Sequence, residues 1–283
     1  IPGIKSAERK YDNGFKLRVA DHYIQLVNFV DFTFYLAGVV EAESGYQAGE
    51  EFYKAQAVLA RTYAYKNILR HEVEGFNLCD RVHCQAYHGR TDIQPLILEA
   101  VEKTSFEVAT LEGYQLIDAL FSANCGGETA NPKQIWYSEK PYLQAVSDPY
   151  CRTSRQATWT QKISLTAWKN YLRQQGWHIP DNAAGSWFRF KQEHRRTFYK
   201  IAGQRISFHQ LRKDWELRSS FFSVLNAGAQ IILKGKGYGH GVGLCQEGAM
   251  EMAERGKDYL EILGFYFRDI EIKRLTIDDV VNE

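Results

Sequence analysis

Between Lys234 and Gly256 the chain reads KGKGYGHGVGLCQEGAMEMAERG, with glycine at 235, 237, 239, 241 and 243. A glycine at every second position suits a backbone that passes close to another backbone or to a ligand. His240 and Gln246 are the groups such a loop would present. A tight turn around a satisfied core histidine fits the same residues. The stretch lacks the Lys-Ser/Thr ending of a phosphate-cradling loop and follows a strand with no second βαβ unit, which argues against a nucleotide. A second stretch, Gly38 to Tyr65, places Glu41 and Glu43 just before an alanine-rich helix that carries Gln56 and Arg61. A carboxylate near a helix start is ordinarily solvated or a partner of the helix dipole. Small residues let that helix pack closely, so Gln56 and Arg61 are expected to be partly buried and paired. In a third stretch, Phe121 to Trp136, a strand ends at Ser122 and Cys125-Gly126-Gly127 makes a tight turn. That turn can present a hydroxyl or backbone N–H groups, although a plain hairpin turn is the simpler reading.

The elements that must hold these groups are mixed. FKLRVA (Phe15 to Ala20) and IQLVNF (Ile24 to Phe29) read as strands, followed from Asp31 by a short helix. Gly49 to Glu74 is the clearest helix, with Glu50 and Glu51 at its start and Gly75 as a stop. A loop dense in Cys and His, NLCDRVHCQAYHGR, precedes a helix over Ile93 to Thr104 and a strand over Leu116 to Ser122. FFSVL and QIILKG then predict strands, and helices follow over Ala249 to Arg255 and Tyr259 to Tyr266. Strands and helices do not alternate as regular βαβ units, so the fold class is α+β. Residues 1–283 read as one unit. Within it Arg152 to Lys213, with four Trp and many Gln, Arg and Lys, look like an inserted lobe.

Composition narrows the function classes. Lys plus Arg is 35 and Asp plus Glu is 34, a net charge of +1 that removes the electrostatic case for a nucleic-acid binder. No run approaches the roughly 18 apolar residues of a membrane helix. The start, IPGIKSAERKY, has no initiator Met and no signal-like apolar region, so export is not legible at this end. The five cysteines are too few for a disulfide scaffold and odd in number.

In this order, the stretches resemble the stage II sporulation protein D family (SpoIID/LytB). Gly38-Val39-Val40-Glu41-Ala42-Glu43 is similar to its G-V-V-x-x-E segment, and Lys54 to Ala64 to its K-A-Q-A-V-x-A-R-T-Y-A. Cys79-Asp80 with Cys84-Gln85-Ala86-Tyr87 resembles its C-D-x-x-x-C-Q-x-Y. Gly126-Gly127-Glu128-Thr129, Pro141-Tyr142-Leu143 and Gly237 to Ala249 match its remaining signatures. The resemblance covers roughly Asp31 to Cys151 and Leu217 to Ile272, and leaves out the Trp-rich lobe.

The resemblance implies a peptidoglycan lytic transglycosylase, which cuts the MurNAc–GlcNAc β-1,4 bond and leaves a 1,6-anhydro-MurNAc end. The family's sporulation members prefer strands stripped of peptide stems. The family's catalytic glutamate falls on Glu43. One carboxylate suffices for this chemistry because the sugar's own C6 hydroxyl attacks, whereas ordinary glycosidases need two. Glu43 is then expected to have a raised pKa from apolar neighbours Val39, Val40 and Tyr46. Gln56, Arg61, Tyr87, Ser122, His240 and Gln246 are the candidates for orienting the sugars or Glu43. The many aromatic residues suit a glycan-binding groove, and core packing accounts for most of them individually.

Some family members carry zinc beside the groove. Here His71, Cys79, His83 and Cys84 form a reasonable structural zinc set. The Cys-x4-Cys spacing is loose, and a Cys79–Cys84 disulfide or free thiols also fit. Position 245 is Cys where the family often has Ser, and Glu247 stands where an aromatic is common. If the signature loop and the Gly-Gly turn meet, Cys125 and Cys245 become a thiol pair or disulfide, with Cys151 as the other partner open to Cys125. The implied partners are peptidoglycan glycan strands and a cell-wall amidase, with no nucleic acid. The implied location is extracytoplasmic, with the leader absent from this chain. Two other readings stand beside the lyase. One is a non-catalytic peptidoglycan-binding module or amidase enhancer. The other is a zinc hydrolase on the Cys/His loop, which no H-E-x-x-H pattern supports.

Overall fold

The computed structural model describes residues 9–20, 22–45, 47–91, 95–180 and 182–275. The chain begins with β1 (Gly14–Ala20), β2 (Tyr23–Phe29), α1 (Phe32–Ser44), α2 (Glu50–Lys66), α3 (Pro95–Lys103) and β3 (Glu107–Thr110). It continues with β4 (Phe121–Ser122), α4 (Pro132–Trp136), β5 (Thr158–Ser164), α5 (Leu165–Gln174), β6 (Phe198–Ile201) and β7 (Gln204–Ser207). It ends with α6 (Phe208–Asp214), β8 (Phe222–Ala227), β9 (Gln230–Lys236), β10 (Leu244–Cys245), α7 (Gln246–Glu254), α8 (Tyr259–Tyr266) and β11 (Glu271–Arg274). Helices and several small sheets make this an α+β protein. Among the described residues no helix is long and apolar enough to cross a membrane.

The described residues fall into two units. The first holds those up to Ala119, Ala253–Leu263 and those from Asp269 on; the second holds Leu120–Met252 and Gly264–Arg268.

In the first unit, α1 starts where the Asp31 carboxylate accepts the Thr33 N–H at 2.8 Å. It stops at Gly45, whose φ of 72° lets its N–H return to the Glu41 carbonyl at 2.9 Å. Its buried run, Leu36 to Val40, includes Gly38 for a steric reason. A Cβ there would lie 2.3 Å from the Gly89 carbonyl oxygen and 2.7 Å from the Tyr87 ring. α2 begins at Gly49 with Glu50 and Glu51 in its first turn. It is shorter than the 26-residue helix expected over Gly49 to Glu74: Asn67 ends it, its side-chain amide donating to the Tyr63 carbonyl at 2.8 Å. The later residues turn, with a 3-10 segment over Glu72–Glu74 closed by Gly75 at φ 82°. The helix expected from Ile93 begins among the described residues at Pro95; Ile93 itself lies outside them. β3 pairs antiparallel with β11, and its Ala109 N–H donates to the Thr62 hydroxyl of α2 at 2.9 Å.

The expected strand over Leu116 to Ser122 is mostly absent. Leu116 makes an isolated bridge to Thr110, and only Phe121–Ser122 form a strand. In the second unit β4 pairs parallel with β10, Ser122 opposite Cys245. β5, β9 and β8 form an antiparallel sheet. Trp159, Trp168 and Trp177 pack in one core with Tyr199, Phe222, Val224 and Leu233. Residues 152–213 therefore share a sheet and a core with residues 222–236.

Candidate functional site

Glu43 lies in the last turn of α1 and is half-buried. Its Oε1 accepts the Ala86 backbone N–H at 2.7 Å. Burial raises the Glu43 pKa above the usual 4.5, against the lowering pull of the Ala86 bond and of His88. The negative end of the α1 dipole acts in the same direction as burial. Val39 and Val40, two of the expected apolar neighbours, are fully buried on the same helix; Tyr46 lies outside the described residues. The arrangement holds a carboxyl that keeps its proton to higher pH than a solvated one and can release it, as a general acid requires.

The loop that supplies Ala86 also carries the thiols and imidazoles. His71, Cys79, His83 and Cys84 place their donor atoms within 4.8 Å of one another. Cys84 Sγ is 3.4 Å from His71 Nε2 and 3.7 Å from His83 Nδ1, and Cys79 Sγ is 3.8 Å from His83 Nδ1. His71 Nδ1 donates to the Glu74 carboxylate at 2.7 Å, which turns the Nε2 lone pair toward the thiols. Two thiols and two imidazoles gathered this way can hold a metal ion. All five cysteines are free thiols, Cys79 and Cys84 included.

The six residues expected to orient sugars fall in two places. In the first unit, Arg61 is 3% exposed and its guanidinium donates to the Val101 and Glu107 carbonyls, each at 3.0 Å. Gln56 is buried, and neither its amide nitrogen nor its oxygen has a hydrogen-bond partner. The Tyr87 hydroxyl donates to Asn28 Oδ1 at 3.0 Å, and burial pushes its pKa up to about 12. Tyr87 lines an open cleft of about 780 Å³ together with Tyr11, Phe29, Phe32 and Tyr35; Glu43 is not among the lining residues.

In the second unit, Ser122, His240 and Gln246 are brought together as the signature loop meets the Gly-Gly turn. Asn124 and Tyr238 exchange backbone hydrogen bonds at 3.1 and 2.8 Å. A Cβ on Gly237 would lie 2.5 Å from the Asn124 carbonyl oxygen, which is why the loop needs glycine there. The Ser122 hydroxyl is buried without a hydrogen-bond partner, and Gln246 is buried at the start of α7. His240 packs on Trp136 at 5.2 Å and accepts the Val242 N–H at Nδ1. Burial, with Arg212 and Arg195 nearby, pushes its pKa down to about 4, so it is neutral at pH 7.

Sequence reasoning missed three participants. The Ala86 N–H is a backbone group and leaves no side-chain signal. Glu74 was readable as a carboxylate three residues after His71, on one turn. Asp148 joins Cys125, Cys151 and Cys245 in a buried cluster that only the fold assembles.

A family model described as "Stage II sporulation protein" (SpoIID) matches residues 20–111. The chain is 32% identical over 275 residues to an uncharacterized protein of Brachyspira hyodysenteriae, covering 92% of this chain and 74% of that protein. It is 27% identical over 270 residues to stage II sporulation protein D of Bacillus amyloliquefaciens, covering 90% of this chain and 77% of that one. It is also 27% identical over 286 residues to a Bacillus subtilis protein named amidase enhancer, covering 82% of this chain but 39% of that longer protein. The family match contains Glu43, the Ala86 donor and the Cys/His loop, and the chain belongs to the stage II sporulation protein D family.

Proposed function

We propose that this protein acts at the bacterial cell wall as a peptidoglycan lytic transglycosylase, with Glu43 as its single acid and base. The observation that carries the reading is the half-buried Glu43 carboxyl with a raised pKa, held by the Ala86 N–H. Protonated Glu43 gives its proton to the glycosidic oxygen as the bond from MurNAc C1 breaks. The resulting carboxylate takes the proton of the C6 hydroxyl as O6 bonds to C1. The anhydro ring closes, Glu43 is again protonated, and no water or second carboxylate is consumed. The Ala86 N–H steadies Oε1 through both transfers.

The aromatic cleft of the first unit suits the apolar faces of sugar rings, with Tyr87 and Tyr35 among its walls. In the first unit Gln56 remains a candidate for orienting Glu43, and Arg61 for supporting α2; in the second unit Ser122, His240 and Gln246 remain candidates for contacting a glycan. His71, Cys79, His83 and Cys84 would hold zinc through four protein donors, leaving no open position, so the ion would hold the loop and not the substrate. Glycan strands are the proposed partner, intact or peptide-stripped, at an extracytoplasmic site.

Digestion of purified peptide-stripped strands, with mass analysis of the products, tests the reading. Anhydro-ended products from the native chain, absent with Glu43→Gln, are expected. A second reading, a module that binds the wall or stimulates an amidase without cutting, draws on the relative named amidase enhancer. Binding without any cleavage by the native chain would select it.

A further inference from the structure

We propose that Cys125, Cys151, Cys245 and Asp148 form a second metal site, a closed structural zinc site inside the second unit. The site is independent of Glu43 and of the Cys/His loop. All four residues are 0% exposed. Their donor atoms lie within 4.8 Å of one another.

The spacings around Cys125 run a few tenths of an ångström inside the edges of a zinc tetrahedron. Zinc arms of about 2.3 Å to sulfur and 2.0 Å to oxygen give edges of about 3.8 Å between sulfurs and about 3.5 Å from sulfur to oxygen. Cys125 Sγ lies 3.4 Å from Cys151 Sγ and 3.2 Å from Asp148 Oδ2. A disulfide would join two of these thiols and leave the third buried thiol and the Asp148 carboxylate beside it with no cation between them. One ion accounts for all of them. Three thiolates favour zinc over magnesium or calcium, which take oxygen donors.

The surroundings are built as the outer contacts of such a site. The Cys125 N–H donates to Cys245 Sγ at 3.2 Å, and the Gly127 N–H bonds to the Cys151 sulfur. The turn that follows Cys125 is left-handed at Gly126 and Gly127, with φ of 74° and 92°, which glycine adopts without strain. Asp148 Oδ1 accepts the Tyr150 N–H at 2.9 Å, and Oδ2 accepts the Tyr266 hydroxyl at 3.0 Å. Such contacts orient ligating groups and are part of a metal centre. Arg195, also buried, donates to the Cys125 carbonyl at 2.7 Å and sets a positive charge beside a donor set that would be net negative around a divalent ion. Binding releases the thiol protons to solvent and ties together the Gly-Gly turn, the Asp148–Cys151 loop and β10.

The test uses the full chain, grown with zinc and purified without chelator, with the metal alone as the probe. The Cys79→Ser/Cys84→Ser variant is expected to keep one zinc per chain. Its zinc-edge fine structure should show sulfur and oxygen neighbours at about 2.3 and 2.0 Å, with no imidazole scattering. Adding Cys151→Ser should remove that zinc. A folded Cys79→Ser/Cys84→Ser chain without bound zinc overturns the proposal. So does a native chain about 2 Da lighter than its reduced form, with Cys125 and Cys151 in one cross-linked peptide. Should the variant fail to fold, the unmutated chain decides: two zinc ions per chain, or one with sulfur and oxygen neighbours only, support the second site, and none, or one with imidazole neighbours, overturns it. Glycan cleavage is not read, so failure here is distinct from failure of the Glu43 reading.

Discussion

The backbone N–H of Ala86 donates to Oε1 of Glu43 at 2.7 Å, two residues after the Cys84 thiol of the Cys/His group. The loop that gathers His71, Cys79, His83 and Cys84 thus also holds the candidate acid. Anything that loosens those four side chains should be felt at Glu43.

Glu43→Gln should lower cleavage by about 10²–10⁴-fold, the usual worth of a positioned acid or base. Glycan binding should survive, because a glutamine can still accept the Ala86 N–H. Rates from product mass analysis, beside binding to uncut strands, check both halves.

The raised pKa of Glu43 also has a stability consequence. A carboxyl whose folded pKa lies above its unfolded one stabilises the fold fully below the unfolded value, near the usual 4.5. That contribution is lost as pH rises through the folded pKa. Glu43→Gln should therefore unfold at a higher temperature than the native chain at pH 7, and the gap should close near pH 4. Cleavage by the native chain should fall as pH rises through the same pKa, since the proton is needed for the first step. Melting and rate profiles against pH measure this.

Glu74→Gln should weaken zinc at the Cys/His loop by about 10–100-fold, because the carboxylate that orients His71 is lost while the ligands remain. Competition with a chromophoric chelator measures it. An unchanged affinity would show that Glu74 has no part in orienting the imidazole.

Arg61→Met should act on stability more than on the sugar. The Glu107 carbonyl loses the guanidinium donor and the Val101 carbonyl keeps only the Thr104 hydroxyl at 3.3 Å, at about 1–3 kcal/mol in all. Urea unfolding should show the loss, with KM per folded molecule unchanged. A rise in KM without a loss of stability would return Arg61 to the glycan.

Gly38→Ala should cost about 1–3 kcal/mol or more, since the added methyl meets the Gly89 carbonyl at 2.3 Å and backbone cannot step aside like a side chain. The displaced Gly89 segment lies three residues after Ala86, so cleavage should also fall in the fraction that still folds. Denaturant midpoints and rates on the same samples separate the two effects.

Much of this was legible along the chain because the causes are local. The alanine-rich α2 and its acidic first turn follow from helix spacing and dipole. The His71, Cys79, His83 and Cys84 set lies within one loop, so a short turn suffices to gather it. α2 is shorter than its spacing predicts because Asn67 ends it by a side-chain bond that mimics a further turn. Leu116 to Ser122 kept its apolar pattern without forming one strand, because its two ends pair with different partners: Leu116 bridges Thr110 and Ile117 donates to the Ala109 carbonyl, while Phe121 and Ser122 pair with β10.

Residue types and local spacing therefore determined the helices, the Cys/His loop and Glu43 as the carboxyl to watch. Tertiary structure decided which polar groups face each other. It set the Ala86 donor on Glu43, turned Arg61 inward to carbonyls of α3 and β3, and closed Asp148 with three thiols far apart in sequence. The reason is physical: backbone donors carry no side-chain signature, and long-range packing selects partners that no sequence period encodes.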